Sequence, residues 1–119
     1  MPRLIIERPG APPRLYELKD GSTIHIGRAA SNDITLPHSS ISRTHALLEG
    51  KHDVWMVTDQ HSANGVLLNG VRIDRAELKS GDVIGLGDIK LRFEDPAWPG
   101  WPGLGGHSAI PDGSRQVAD

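Results

Sequence analysis

The sequence predicts an all-β domain folded as a β-sandwich, and three observations carry that expectation. Glycine and proline recur so often in the first 94 residues that the longest stretches free of both are 51–64 and 38–49, leaving little room for long helices. Turn-forming residues fall between short apolar runs, which suits strands rather than helical segments. Within those runs apolar and polar side chains alternate with the two-residue period of a half-buried strand.

The elements follow in chain order. Lys19-Asp20-Gly21-Ser22 marks a turn before a strand over 23–26, where Ile24 and Ile26 flank His25. Gly50-Lys51-His52 marks a second turn before a strand over 53–59, where Trp55 and Val57 flank Met56. Asn69-Gly70, the strongest short hairpin signal, separates the apolar runs 66–68 and 71–73. All three turns read as hairpins. Gly81, Gly85 and Gly87 read as further turns, and Leu91 and Phe93 on either side of Arg92 continue the alternation to a last strand. Strands spaced by about 8 to 12 residues give a sandwich. No internal repeat, heptad or amphipathic helical stretch interrupts the pattern.

Composition narrows the function. At 119 residues the chain has the size of one ordinary domain, which argues against a two-domain cofactor enzyme. The formal net charge of −2 argues against a nucleic-acid surface or a polybasic membrane patch, so an anion site has to be local. The absence of cysteine excludes disulfides, a thiol nucleophile and cysteine-ligated metals. Leu4-Ile5-Ile6 is far too short for a signal-peptide core or a membrane span, so a cytoplasmic protein is expected. Residues 1–94 balance 12 basic against 12 acidic side chains and form the expected domain. Residues 95–119, with four prolines, five glycines, Trp98 and Trp101, read as a flexible tail or linker. The two tryptophans either fold back onto the domain or dock a partner.

Three polar clusters sit in loops between the expected strands, where a rigid sandwich displays function. They are Gly27-Arg28, Ser42-Arg43-Thr44-His45, and Ser62-Ala63-Asn64-Gly65 with Asn69-Gly70 following. Together with the Asn-Asp-Ile-Thr-Leu run at 32–36, Trp-x-Val-x-Asp at 55–59 and Gly-Asp-Val-Ile at 81–84, their order and spacing resemble the forkhead-associated (FHA) domain family over roughly residues 4–94. The resemblance implies a sandwich of about eleven strands whose loops at one end bind phosphothreonine peptides without catalysis.

A phosphothreonine carries about −1.5 to −2 charges and three strong acceptor oxygens, so its receptor needs a cation with directed donors. By resemblance the Arg28 guanidinium meets the phosphate, with Gly27 allowing a tight exit from the strand. The resemblance places the Ser42 hydroxyl on the phosphate, with Arg43 as an auxiliary cation. Asn64 can donate and accept through one amide, which suits its family role of holding the ligand backbone. Ala63 stands where the family frequently has Thr or Ser; one hydroxyl is missing, and a backbone donor is expected to serve instead. His45, Gly65 and Asn69 are expected to support the site, His45 by orienting the loop and Asn69 as a hairpin turn.

The implied partners are a phosphothreonine-containing protein or peptide and an upstream Ser/Thr kinase. Other classes find little support. Ser42, His45 and Asp59 have the residue types of a hydrolase triad, but no Gly-x-Ser-x-Gly elbow accompanies them and no enzyme is expected. The histidines form no metal-ligand spacing, and no nucleotide-binding glycine fingerprint exists, so neither metal nor cofactor is expected. The competing reading is a phosphate-independent assembly domain that docks through the sandwich surface or the tryptophan-bearing tail.

Overall fold

The computed structural model describes residues 2–96. Trp98, Trp101 and nearly all of the expected tail lie outside them. Among the described residues eleven strands form two packed sheets. They are β1 (Arg3–Glu7), β2 (Arg14–Glu17), β3 (Thr23–Gly27), β4 (Ile34–Thr35), β5 (Ala46–Lys51), β6 (Val54–Asp59), β7 (Val66–Leu68), β8 (Val71–Ile73), β9 (Arg75–Leu78), β10 (Val83–Leu86) and β11 (Ile89–Glu94). One sheet has the order β2-β1-β11-β10-β7-β8 and the other β4-β3-β5-β6-β9. The ladders are antiparallel except for the short parallel pair β3–β4.

The alternation read from the sequence sets the faces. Ile24, Ile26, Trp55, Val57, Leu91 and Phe93 point into the core, while His25 and Arg92 face solvent. Each such side chain contributes about 1.5–3 kcal/mol on burial. Trp55, 1% exposed, is the largest of them. It pairs with Gly50 across β5–β6, and its ring occupies the space where a side chain at 50 would stand.

Two of the three expected hairpins form. Asn69-Gly70 joins β7 to β8, both residues at positive φ (50° and 85°), as a tight mirror-image turn requires. The β5–β6 hairpin turns one step later than expected, on His52-Asp53 (φ 54° and 63°), so Asp53 belongs to the turn rather than to the strand. The 19–22 segment is not a hairpin. It carries the chain from β2 at the edge of one sheet to β3 in the other, and reciprocal bonds from Gly21 N to Gly50 O and from Gly50 N to Ser22 O pin it to β5. A turn signal marks a reversal of direction and carries no information about which sheet receives the chain. Gly85 is likewise not a turn: it lies inside β10 opposite Leu67, whose Cβ is 3.4 Å from where a Cβ on Gly85 would stand.

Antiparallel pairing of Ile26 with Ala46 and of Ala46 with Asp59 brings the C-terminal ends of β3 and β6 and the start of β5 to one end of the sandwich. The segments that follow or precede these ends, 28–33, 36–45 and 60–65, are the loops that carry the candidate site.

Candidate functional site

Arg28 is the first residue beyond β3, and the chain there is clamped to the 41–43 segment. Its N–H donates to Ser42 O (2.9 Å) and that of Ala29 to Arg43 O (3.1 Å). Gly27 is needed for this approach, because a Cβ at 27 would strike the Arg43 carbonyl and come within 2.8 Å of Asn32 Nδ2. Asn32 completes the clamp by donating from Nδ2 to both Ala29 O and Arg43 O, each at 2.8 Å. The Arg28 side chain is exposed, but its Nε–H donates to Ile41 O at 3.0 Å. One edge of the guanidinium is therefore fixed, while its terminal nitrogens make no hydrogen bond or ion pair among the described residues.

His45 ties this segment to the third loop. Fully buried, it accepts the Ser42 N–H at Nδ1 (3.0 Å), and its Nε2 lies 2.8 Å from Gly65 O. An acceptor at Nδ1 and a carbonyl at Nε2 are both satisfied only by the neutral ring carrying its proton on Nε2. His45 thus does not face Ser42 Oγ as a general base would. Asp59 is occupied elsewhere, accepting both the N–H (3.1 Å) and the hydroxyl (2.6 Å) of Ser62. Ser42, His45 and Asp59 form no relay.

The Ser42 hydroxyl oxygen accepts the Ala63 N–H at 2.9 Å, a bond that does not use the hydroxyl proton. The backbone donor of Ala63 is thereby given to Ser42, whose hydroxyl it orients. Exposed Asn64 donates from Nδ2 to Ser40 O at 2.8 Å. The exposed Arg43 has no carboxylate partner among the described residues. Arg28, Ser42, Arg43, Ala63 and Asn64 thus lie on loops bonded directly to one another. Asn69 does not join them. At the far end of β7, it exchanges hydrogen bonds with Val83 (N to O 2.8 Å, Oδ1 from N 2.9 Å) and donates to Asp82 Oδ1 at 2.9 Å, bracing the opposite end of the sheet.

A family model described as FHA domain matches residues 24–87, more than half of the chain. The chain belongs to the FHA domain family. This FHA domain is 43% identical over 79 residues to an ABC transporter ATP-binding/permease protein of Mycobacterium tuberculosis, covering 66% of this chain and 9% of that protein. It is 34% identical over 91 residues to the glycogen accumulation regulator GarA of Mycolicibacterium smegmatis, covering 76% of this chain and 56% of the regulator. The chain therefore spans from under a tenth to just over half the length of these curated relatives. Among solved structures, the FHA domain of the CT664 protein from Chlamydia trachomatis superimposes with a TM-score of 0.77 at 28% identity, covering 81% of this chain and 98% of that one. A structure from work on phosphothreonine-dependent FHA domain interactions gives 0.70 at 27% identity, over 78% and 96% of the two chains.

Several residues around these loops make contacts that the sequence alone does not show. Asn32 belongs to the 32–36 run that carries the resemblance, and its role as a double donor shows only once Ala29 and Arg43 are adjacent. Ser40 is a junction. Its Oγ sits 2.8 Å from His38 Nδ1 and accepts the Asp88 N–H (2.9 Å), while its carbonyl holds Asn64. Arg72, two residues past the Asn-Gly turn, reaches back along β8 so that its guanidinium covers Gly65. The hairpin signal contained a clue: a two-residue turn puts Arg72 opposite Leu67, on the same sheet face as Gly65 by alternation.

No helix among the described residues is long and apolar enough to cross a membrane, and no group of three or more His or acidic side chains among them could hold a metal ion.

Proposed function

We propose that this FHA domain recognises phosphothreonine-containing peptides. Arg28 supplies the outward-facing charge, Ser42 a directed hydroxyl donor, Arg43 a second cation, and Asn64 an amide for the ligand backbone. The observation that carries this reading is the double anchoring of Arg28 and Ser42. The guanidinium is held through Nε by Ile41 O and the hydroxyl oxygen by Ala63 N–H, so each presents its remaining donors outward. Preorganised donors lose little freedom on binding a phosphate. Charge-assisted hydrogen bonds of about 1.5–3 kcal/mol each bring a short peptide to roughly micromolar affinity after ordering costs. The solved relative from work on phosphothreonine-dependent interactions supports the same chemistry.

The reading places the protein downstream of a Ser/Thr kinase in the cytoplasm. A phosphothreonine peptide library, screened with phosphoserine and unphosphorylated controls, tests it. Arg28→Ala is expected to abolish measurable binding while leaving the far-UV spectrum and melting temperature close to the parent's. Equal binding by parent and variant, or a partner retained equally well after phosphatase treatment, would instead favour the phosphate-independent assembly reading.

A further inference from the structure

We propose that Arg72 is a specificity-determining residue of this site, pairing with a carboxylate side chain, Asp or Glu, close to the phosphothreonine of the bound peptide. The proposal rests on the phosphothreonine reading above. Three observations converge on it.

First, the Arg72 guanidinium lies against the backbone of Gly65, the residue after Asn64. A Cβ at 65 would stand 2.7 Å from its Nε, 2.9 Å from Cζ and 3.2 Å from Nη2. Gly65 leaves room for the guanidinium and is itself held at a positive φ of 80° by the turn. Second, Arg72 is exposed and has no carboxylate partner among the described residues. A planar fork of five donors is thus parked against the residue that follows Asn64, with no carboxylate among the described residues to neutralise its charge.

Third, Arg72 reaches the site from the opposite sheet. Arg28, Ser42 and Arg43 belong to the loops around β3 and β5, whereas Arg72 comes from β8 at the edge of the six-stranded sheet. The phosphate is served from the first side, so the anion that reaches Arg72 belongs to a different part of the ligand. A carboxylate a few residues from the phosphothreonine fits, because the guanidinium fork matches it bidentately.

A phosphothreonine peptide library randomised on both sides of the phosphoresidue tests this with the parent, Arg72→Gln and Arg72→Glu. The parent is expected to enrich Asp or Glu at a flanking position, Arg72→Gln to lose that enrichment, and Arg72→Glu to replace it with Lys or Arg. All three retain selection for the phosphorylated over the unphosphorylated peptide, because Arg28 is intact. For a peptide selected by the parent, replacing its acidic residue with Ala is expected to weaken binding about tenfold in the parent and leave it unchanged in Arg72→Gln. Phosphothreonine selection without acidic preference in the parent, or an acidic preference that survives Arg72→Glu, would overturn the assignment of Arg72 and leave the phosphothreonine reading standing. Absence of any phosphothreonine selection by the parent overturns that reading, and this proposal with it.

Discussion

The side-chain amide of Asn64 donates to the backbone carbonyl of Ser40 at 2.8 Å, across 24 positions of sequence. The next carbonyl, Ile41 O, accepts Arg28 Nε–H at 3.0 Å. One short turn, closed by Ile41 N–H onto His38 O at 3.0 Å, therefore aims two of the proposed ligand contacts.

Gly87 in the β10–β11 turn is what allows Ser40 to sit there. A Cβ at 87 would come within 2.6 Å of both Ser40 Cβ and Ser40 O, at a positive φ of 56°. Gly87→Ala is expected to cost about 1–3 kcal/mol of stability, measurable by urea denaturation. It should also weaken phosphothreonine-peptide binding even where the variant is fully folded, because the Ser40 carbonyl moves and Asn64 with it. A folded variant with parental affinity would show that the turn does not aim Asn64.

Ser42→Ala separates two roles of one hydroxyl. Removal of Oγ leaves the Ala63 N–H without its acceptor, a loss of about 1 kcal/mol in folding stability, since this amide lies close to water. Peptide affinity should fall by about tenfold or more, as a directed donor to the phosphate also disappears. Chemical denaturation and calorimetric titration on the same variant read the two effects independently.

Asp33 gives a pH prediction away from the site. The backbone N–H of His25 (2.8 Å) and then the His25 ring (3.2 Å) hold its carboxyl below the ordinary carboxylate value. A pKa depressed in the folded state stabilises the fold above the unfolded-state value and ceases to do so as pH falls through the folded one. Asp33→Asn mimics the protonated form. The melting temperature of the parent should exceed that of the variant at neutral pH, with the gap closing below about pH 4. A gap that does not depend on pH would show that the carboxylate charge is irrelevant there.

Gly50→Ala tests the packing of the five-stranded sheet. The added methyl would fall into the ring of Trp55, only 2.6 Å from Cη2, and the indole is buried with nowhere to swing. A loss of about 1–3 kcal/mol is expected from overpacking. Urea denaturation followed by tryptophan fluorescence reads it directly.

The sandwich was legible because its strands obey strict alternation: Ile24 and Ile26, Trp55 and Val57, Leu91 and Phe93 each mark a face that the structure buries. Gly27, Arg28, Ser42, His45 and Asn64 were legible as a spaced set. The assignment of the 19–22 turn failed because connection between sheets is decided by packing and not by local turn chemistry. The bonds made by Asn32 and Ser40 and the placement of Arg72 were not readable for a related reason. Their importance lies in bonds or contacts to residues 7 to 48 positions away, which no local pattern encodes. Asn69 shows the converse: it forms the hairpin turn read from the sequence, yet although it is close to Asn64 in the chain it lies at the other end of β7.

The His52-Asp53 turn lies at the far end of β5 from His45, about 22–24 Å away at the rise of an extended strand. Both residues are exposed, and Asp53 N–H is tied to Asp20 Oδ1 at 2.9 Å. A cysteine introduced at position 52, in a chain that has no other, would give a single attachment point remote from the recognition loops. Immobilised through it, the domain would face its ligands loop-end outward, an orientation suited to a surface-based sensor of threonine phosphorylation.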